Sequence, residues 1–301
     1  MSTHQITQGS VVVGVDGSAS SQLALRWAAD EAGRMQRPLH VVHALETEVV
    51  LSDKLPLGTK EAAASSDAIV TEAVDLARTL APGVSATPHS VTGFAPTTLI
   101  AASRVAATVV LGSHGRGALP SALLGSVSQQ VAIHASCPVV VVRDDGAPEG
   151  AASKLVVVGV DGSEASVPVL DFAFSYAAST GSSVTAVHTW WWEPLEGVSL
   201  GEPWTGDWTQ IASQETTLIS EMLAGWAERY PGVPVHRHVV RGDPVIELLE
   251  QSRDASLLVV GSRGRGGFIG LLLGSVSRRI LKRATCPVAV VRSAGGEQPV
   301  D

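Results

Sequence analysis

Short apolar runs alternate with longer amphipathic stretches along most of the chain. The apolar runs are rich in valine, which is typical of strands buried on both faces of a parallel sheet. The stretches between them have helical periodicity and are bounded by proline, glycine or serine. This alternation predicts an α/β fold whose parallel sheet carries helices on both faces, with ligands at the carboxyl ends of the strands.

The pattern predicts the same succession of elements in each half of the chain. In the first half it predicts strands at 11–15, 39–44, 84–91, 108–111 and 138–142, and helices from 18 or 20 to 35 and at 61–80, 96–104 and 123–134. In the second half it predicts strands at 155–160, 183–189, 235–240, 257–260 and 287–291, and helices at 168–180, 214–230, 244–251 and 273–283.

The two halves are copies of one domain. The segment Val-Val-Val-Gly-Val-Asp-Gly-Ser at 11–18 returns 145 residues later at 156–163, and Cys137-Pro138 returns 149 residues later. The difference places a four-residue insertion in the second copy, after its second strand. We predict domains at 8–145 and 153–294, joined by a segment rich in Asp, Gly, Ala and Pro.

A glycine motif stands between the fourth strand and the fourth helix of each copy. It reads Gly112-Ser-His-Gly115 and then Gly125-Ser126, and in the second copy Gly261-Ser-Arg-Gly264 and then Gly274-Ser275. A helix start attracts anions, and glycines allow positive φ and close approach of the backbone to an oxygen. The two serines could also cap the helix. Each motif alone could be an ordinary turn, but two with identical spacing favour phosphate binding.

Asp16 and Asp161 end the first strand of each copy. A carboxylate there could accept hydrogen bonds from a ribose or from an adenine edge, although Asp-Gly-Ser is also good helix-capping sequence. Gly14 and Gly159 precede them, either to leave room for a ligand or to allow close packing.

Basic and imidazole side chains near the motifs allow two interpretations. Arg116, Arg263 and Arg265 could pair with phosphate oxygens or remain solvated. His114 takes the place of Arg263 in the first copy, which allows the two sites to differ in affinity or pH response. The strand-end histidines 43 and 188 are interpreted as packed residues and not as catalysts.

Six of the seven tryptophans belong to the second copy. Five of them lie in or beside the loop after its second strand: Trp190, Trp191, Trp192, Trp204 and Trp208. Such a loop could cover a nucleobase or bind a partner, or it could fold back over its own domain.

Composition excludes several classes of function. A formal net charge of −8 argues against nucleic-acid binding. Residues Met1 to Ser10 lack a signal-peptide pattern, no apolar run has membrane-spanning length, and the two cysteines are expected to be buried thiols. We therefore expect a cytoplasmic protein. The Walker A motif, a Gly-x-Gly-x-x-Gly after the first strand, zinc-ligand motifs and an assignable serine elbow are all missing.

The combination of motifs resembles the universal stress protein family, and within it the ATP-binding branch with tandem domains found in actinobacteria. Besides the glycine motif, the resemblance rests on Gly14-Val-Asp-Gly-Ser18, Trp27-Ala-x-x-Glu31-Ala, Val42-His43-Ala and Cys137-Pro138 followed by four valines. It implies two Rossmann-like (adenine nucleotide α-hydrolase-like) domains, each with a five-stranded parallel sheet in the order 3-2-1-4-5. It also implies pairing of the domains through their fifth strands, and a homodimer.

The resemblance further implies two ATP per chain, with Mg²⁺ as an optional companion, and a regulatory role in stress or growth arrest. Adenosine would contact Asp16, Asp161, Val42 and Val187. The complete set of implied binding residues is Gly14, Asp16, Val42, Gly112, Ser113, Gly115, Arg116, Gly117, Gly125, Ser126 and Val127 in the first copy, and Gly159, Asp161, Val187, Gly261, Ser262, Arg263, Gly264, Arg265, Gly266, Gly274, Ser275 and Val276 in the second.

Two alternatives remain open. One is a slow ATPase, in which Asp16 or Asp161 acts with a divalent ion that bridges the phosphates. The other is a scaffold whose tryptophan-rich loop binds a protein partner and whose nucleotide is structural. No catalytic residue can be assigned, because the motifs supply phosphate donors but no general base for a water nucleophile.

Overall fold

A computed structural model describes residues 6–45, 59–116, 124–143, 153–190, 208–264 and 272–292, with the side chains of 59–62 left out. The first half contains β1 (Val11–Gly14), α1 (Ala19–Met35), β2 (Leu39–Leu45), α2 (Thr59–Leu80), β3 (Ala86–Thr92), α3 (Ala95–Ala102), β4 (Thr108–Gly112), α4 (Ser126–His134) and β5 (Val139–Val142). The second half contains β6 (Leu155–Gly159), α5 (Val167–Thr180), β7 (Ser183–Trp190), α6 (Trp208–Arg229), β8 (Val235–Arg241), α7 (Pro244–Gln251), β9 (Leu257–Gly261), α8 (Ser275–Arg283) and β10 (Val288–Val291).

All ten strands form one sheet in the order β3-β2-β1-β4-β5-β10-β9-β6-β7-β8. Within each half the strands are parallel and follow the order 3-2-1-4-5, which confirms the predicted fold. The halves meet where β5 pairs antiparallel with β10, and Val140 lies opposite Ala289. This pairing covers two apolar strand edges that would otherwise be open to association.

Consecutive strand residues belong to two different cores, one on each face of the sheet. Val11 and Val13 pack among residues of α1, α2, α5 and α6, whereas Val12 packs among residues of α3, α4, α7 and α8. Because side chains alternate along a strand, a strand covered on both faces must be apolar at every position. Each core continues across both halves of the chain.

Two related arginines tie the halves together beside the β5–β10 pairing. Arg143 follows β5 and donates from Nη1 to the carbonyl oxygen of Leu281 at 2.7 Å. Arg292 follows β10 and donates to the carbonyl oxygen of Ile133. Both carbonyls lie in the last turn of a helix, α8 or α4, where a cation is electrostatically favoured.

A buried pair of histidines links β2 to β3 in the first half. Nδ1 of His40 lies 2.7 Å from Nε2 of His89, and the backbone N–H of Thr7 donates to Nε2 of His40 at 3.2 Å. Since Nε2 of His40 accepts a hydrogen bond, the ring is neutral and its Nδ1–H is the donor toward His89. Burial, together with His89, lowers the pKa of His40 to about 4.

Most helix bounds differ from the sequence prediction by a few residues, including the starts of α4, α8 and α6. α4 and α8 begin at Ser126 and Ser275, with Gly125 and Gly274 as N-caps, so the expectation that these serines cap the helices was wrong. Both cap glycines are extended, with φ near −70°, which delays the helix start. α6 begins at Trp208, six residues earlier than predicted.

Candidate functional site

Each half contains a cavity at the carboxyl edge of the sheet, where β1 and β4, or β6 and β9, end. The first cavity has a volume of about 430 Å³ and the second about 650 Å³. Both volumes lie in the range of small-molecule and cofactor sites, roughly 300–1,000 Å³.

Most of the predicted site residues lie on the walls of these cavities. The first is lined by Gly14, Asp16, Val42, Gly112, Gly115, Arg116, Gly125, Ser126 and Val127, and the second by Gly159, Asp161, Val187, Gly261, Arg263, Gly264, Gly274, Ser275 and Val276. Ser113 and Ser262 are not part of either wall and are buried behind it. Gly117, Arg265 and Gly266 lie outside the described residues.

The carboxylate of Asp16 connects the two loops that frame the first cavity. Its Oδ1 accepts from the N–H and the hydroxyl of Ser18 at 3.0 and 2.6 Å, and its Oδ2 accepts from the backbone N–H of Arg116 at 2.9 Å. Burial raises the pKa of Asp16, but these hydrogen bonds outweigh burial and hold that pKa below its usual value. Asp16 is therefore a wall residue that also orders its own turn.

Asp161 repeats this arrangement in the second cavity. Its Oδ1 accepts from the N–H and hydroxyl of Ser163 at 2.9 and 2.6 Å, and from the hydroxyl of Ser166 at 2.8 Å. The hydroxyl of Ser166 in turn accepts from the N–H of Asp161 at 3.2 Å. The sequence analysis did not identify Ser166, because a serine five residues after an aspartate has no distinctive pattern.

The start of α4 is fastened to the end of β4, and α8 to β9 in the same way. The N–H of Gly125 donates to the carbonyl of Ser113 at 2.6 Å, and the Ser128 hydroxyl donates to the carbonyl of Gly112 at 2.6 Å. Ser277 and Gly261 form the equivalent bond at 2.5 Å. The first N–H groups of a helix have no intrahelical acceptor, so each cavity wall presents a helix start in a fixed position whose N–H groups are suited to an anion.

Two motif glycines lie close to the carboxylates of the aspartates beside them, and the approach is closer in the first half. A Cβ on Gly115 would lie 2.5 Å from Oδ2 of Asp16, and one on Gly264 would lie 3.2 Å from Oδ2 of Asp161. Neither glycine has a positive φ, so the prediction that they adopt this conformation was wrong. The closeness of the backbone to the carboxylate is the reason that remains for a glycine at each position. Positive φ occurs instead at Gly17 and its counterpart 162, where φ is 79° and 77°.

The glycines at the ends of β1 and β6 are explained by packing. A Cβ on Gly14 would lie 2.6 Å from Cδ2 of Leu111 and 3.1 Å from Cδ1 of Leu99. A Cβ on Gly159 would lie 3.2 Å from Cδ2 of Leu248. These leucines form apolar parts of the cavity walls, so the glycines let β1 and β6 fit against them.

The strand-end histidines support the walls through backbone contacts. Nδ1 of His43 lies 2.7 Å from the carbonyl oxygen of Val15, and Nδ1 of His188 lies 2.9 Å from that of Val160. Nε2 of His188 also lies 3.0 Å from Oε2 of Glu215, a residue of α6 that the sequence analysis missed. These contacts support the interpretation of both histidines as packed residues.

The predicted tryptophan loop is only partly described. Residues 191, 192 and 204 lie outside the described residues. Trp190 is part of the wall of the second cavity, and its ring stacks with that of Trp208 at a centroid distance of 6.1 Å.

Both cysteines lie in the interior of the described part of the chain. Cys137 and Cys286 are buried free thiols, and burial raises their pKa values to about 12 and about 11. The described residues include no group of three His, Cys, Asp or Glu side chains suited to hold a metal ion. Among the described helices, none has the length and apolarity needed to cross a membrane.

The fold and the cavities define a class of protein: a tandem α/β protein with a cavity and a helix start at the carboxyl edge of each half of its sheet. Comparison with known proteins identifies the family. The model of the universal stress protein family matches residues 9–143 and 153–292, so the chain belongs to this family.

Similar proteins extend over nearly the whole chain. A universal stress protein of Mycolicibacterium smegmatis is 39% identical over 297 residues, which cover 95% of this chain and 98% of the relative. One from Mycobacterium tuberculosis is 38% identical over 296 residues, with 94% and 96% covered. The crystal structure of a universal stress protein from Archaeoglobus fulgidus matches with a TM-score of 0.69, 22% identity and coverage of 97% and 99%, which supports the shared fold.

Proposed function

We propose that this universal stress protein binds one ATP in each cavity and that the bound nucleotide sets its regulatory state in stress or growth arrest. The observation that carries the proposal is the pairing of chemical groups on each wall. A helix start suited to phosphate and a strand-end carboxylate suited to a ribose or base line the same cavity, in both halves of the chain.

The walls fit the different parts of a nucleotide. Apolar side chains that include Val42, Leu99 and Leu111 provide surface for a base in the first cavity, and Val187, Leu248 and Val260 do so in the second. Hydroxyls and backbone N–H groups at the starts of α4 and α8 provide donors for phosphate oxygens. Mg²⁺ would be held mainly by the phosphates, as is usual for this ion.

The chemistry of the walls favours binding over rapid hydrolysis. A catalytic base for water needs a pKa near the working pH, but hydrogen bonds hold the pKa of Asp16 below its usual value. Asp16 is thus suited to accept hydrogen bonds from a ligand and poorly suited to remove a proton from water. We infer a nucleotide sensor or store with turnover that is slow at most.

Calorimetric titration with ATP and Mg²⁺ tests the binding proposal. We expect two sites in the wild-type chain, and one site after either Gly115→Ala or Gly264→Ala. A Cβ at either position would crowd the aspartate of its wall, 2.5 Å from Oδ2 of Asp16 or 3.2 Å from Oδ2 of Asp161, and would narrow the space beside the helix start. Gly225→Ala is the matched control, since a Cβ there meets nothing within 4 Å. Absence of ATP binding by the folded wild-type protein would refute the proposal.

We also propose that the protein acts in the cytoplasm and that two chains associate. The β5–β10 pairing is already made within one chain, so association would use another surface. The outer strands β3 and β8 offer poor edges for sheet extension, because β3 contains Pro88 and β8 carries charged residues. Light scattering after size exclusion will measure the mass, and a monomer at all concentrations would contradict association.

A further inference from the structure

The second cavity contains groups that have no counterpart in the first, although both belong to copies of one domain. Position 190 is tryptophan and its counterpart is Leu45; position 215 is glutamate and its counterpart is Ser66. Trp190 and Glu215 both lie on the wall of the second cavity. Leu45 and Ser66 do not lie on the wall of the first.

The indole of Trp190 is held in place by two further residues. Its ring stacks with Trp208 at a centroid distance of 6.1 Å and an interplanar angle of 29°. The guanidinium carbon of Arg241 lies 4.0 Å from the centre of the Trp208 ring, and Arg241 is paired with Trp190 across β7 and β8. The counterparts of Trp208 and Arg241 in the first half are threonines, at 59 and 92. The second cavity therefore has a braced indole wall, whereas the described residues that line the first cavity include no Trp, Tyr or Phe.

Glu215 and His188 form a polar pair in the same cavity as Trp190. The Nδ1 and Nε2 atoms of His188 face two acceptors, the carbonyl of Val160 at 2.9 Å and the carboxylate of Glu215 at 3.0 Å. The ring of His188 is therefore held between the backbone of Val160 and the side chain of Glu215, and the carboxylate is fixed beside the ring. The start of α8 supplies backbone N–H donors for phosphate, so the phosphates belong there and the base belongs beside Trp190.

We infer that Trp190 is a specificity-determining residue that stacks on the base of the nucleotide in the second cavity and makes that cavity the tighter of the two sites. This inference rests on the proposed function. Stacking of a base on an aromatic side chain typically contributes enough to change affinity about tenfold. The first cavity holds the same ligand without this contact, so the two sites fill in sequence.

Single-site proteins test the inference by titration with ATP. In a Gly115→Ala background, which reports the second cavity, we expect Trp190→Leu to weaken ATP binding about tenfold and Trp190→Phe to restore most of it. In a Gly264→Ala background, which reports the first cavity, Trp190→Leu should have no effect. Thermal unfolding of each variant verifies that it is folded.

Inorganic tripolyphosphate separates stacking from a structural role of Trp190. It has phosphates but no base, so Trp190→Leu should leave its affinity for the second cavity unchanged. An equal loss for ATP and tripolyphosphate, or no loss for ATP, would overturn the inference while leaving nucleotide binding intact. If the wild-type chain bound no ATP at all, the proposed function itself would fail, and the inference with it.

Discussion

Replacing Gly14 with alanine distinguishes packing from ligand binding as the reason for a glycine at the end of β1. The new Cβ would lie 2.6 Å from Cδ2 of Leu111 and 3.1 Å from Cδ1 of Leu99, and both leucines are buried. Overpacking of this kind costs about 1–3 kcal/mol, because buried neighbours must leave their preferred rotamers. We expect a loss of this size in the free energy of unfolding.

The equivalent substitution in the second half provides a matched comparison. At Gly159 the nearest atom to a new Cβ is Cδ2 of Leu248 at 3.2 Å, so Gly159→Ala should cost less, about 1 kcal/mol or below. Gly225→Ala, which meets nothing within 4 Å, should not destabilise the protein. Urea denaturation without nucleotide, followed by circular dichroism, gives the midpoints from which these differences are obtained.

Two results would refute the packing argument. If Gly14→Ala unfolded at the wild-type midpoint but lost ATP affinity, the glycine would be there to leave room for the ligand. If Gly159→Ala were as costly as Gly14→Ala, the difference in contact distance would not govern stability. The first result would return Gly14 to the set of residues that act directly on the nucleotide.

Three further predictions concern the remainder of the fold. The fold holds His40 in its neutral form, because the pKa of His40 is lowered to about 4. As the pH falls from 6.5 to 4, protonation is favoured in the unfolded chain, and up to about 3 kcal/mol of the free energy of unfolding should be lost. Chemical denaturation should show this loss in wild type and in the exposed control His134→Gln, but not in His40→Gln. Arg143→Met removes a buried hydrogen bond between the halves and should cost about 1–3 kcal/mol in denaturant titrations, and an unchanged midpoint would contradict it. The thiols of Cys137 and Cys286, with pKa values raised to about 12 and about 11, should react with a thiol reagent at pH 8 only after unfolding.

The fold could be predicted from the sequence because local and long-range patterns agree. Uninterrupted valine runs such as Val11–Val13 predict strands buried on both faces, and these residues do belong to two cores. The repetition of one motif after 145 residues predicts the second domain. Pairing of β5 with β10 followed from the family resemblance and from two apolar edges that needed cover.

The details of the candidate site depended on tertiary contacts that the sequence does not display. Glu215 lies 27 residues from His188, and nothing in the local pattern indicates that α6 brings them to 3.0 Å. The requirement for glycine at 115 comes from the carboxylate of Asp16, which is distant in sequence. Ser126 resembled a helix cap in sequence, but the preceding glycine takes that position.

The central claim is that each cavity holds one ATP, and the nucleotide content of the purified protein tests it most directly. The protein should be denatured gently and the released nucleotide identified and counted by chromatography, for wild type, Gly115→Ala, Gly264→Ala and the double variant. We expect about two ATP per chain in the wild type, about one in each single variant and none in the double variant. Absence of nucleotide in the wild type, with none bound on titration in the presence of Mg²⁺, would contradict it and identify the glycine motifs as structural turns.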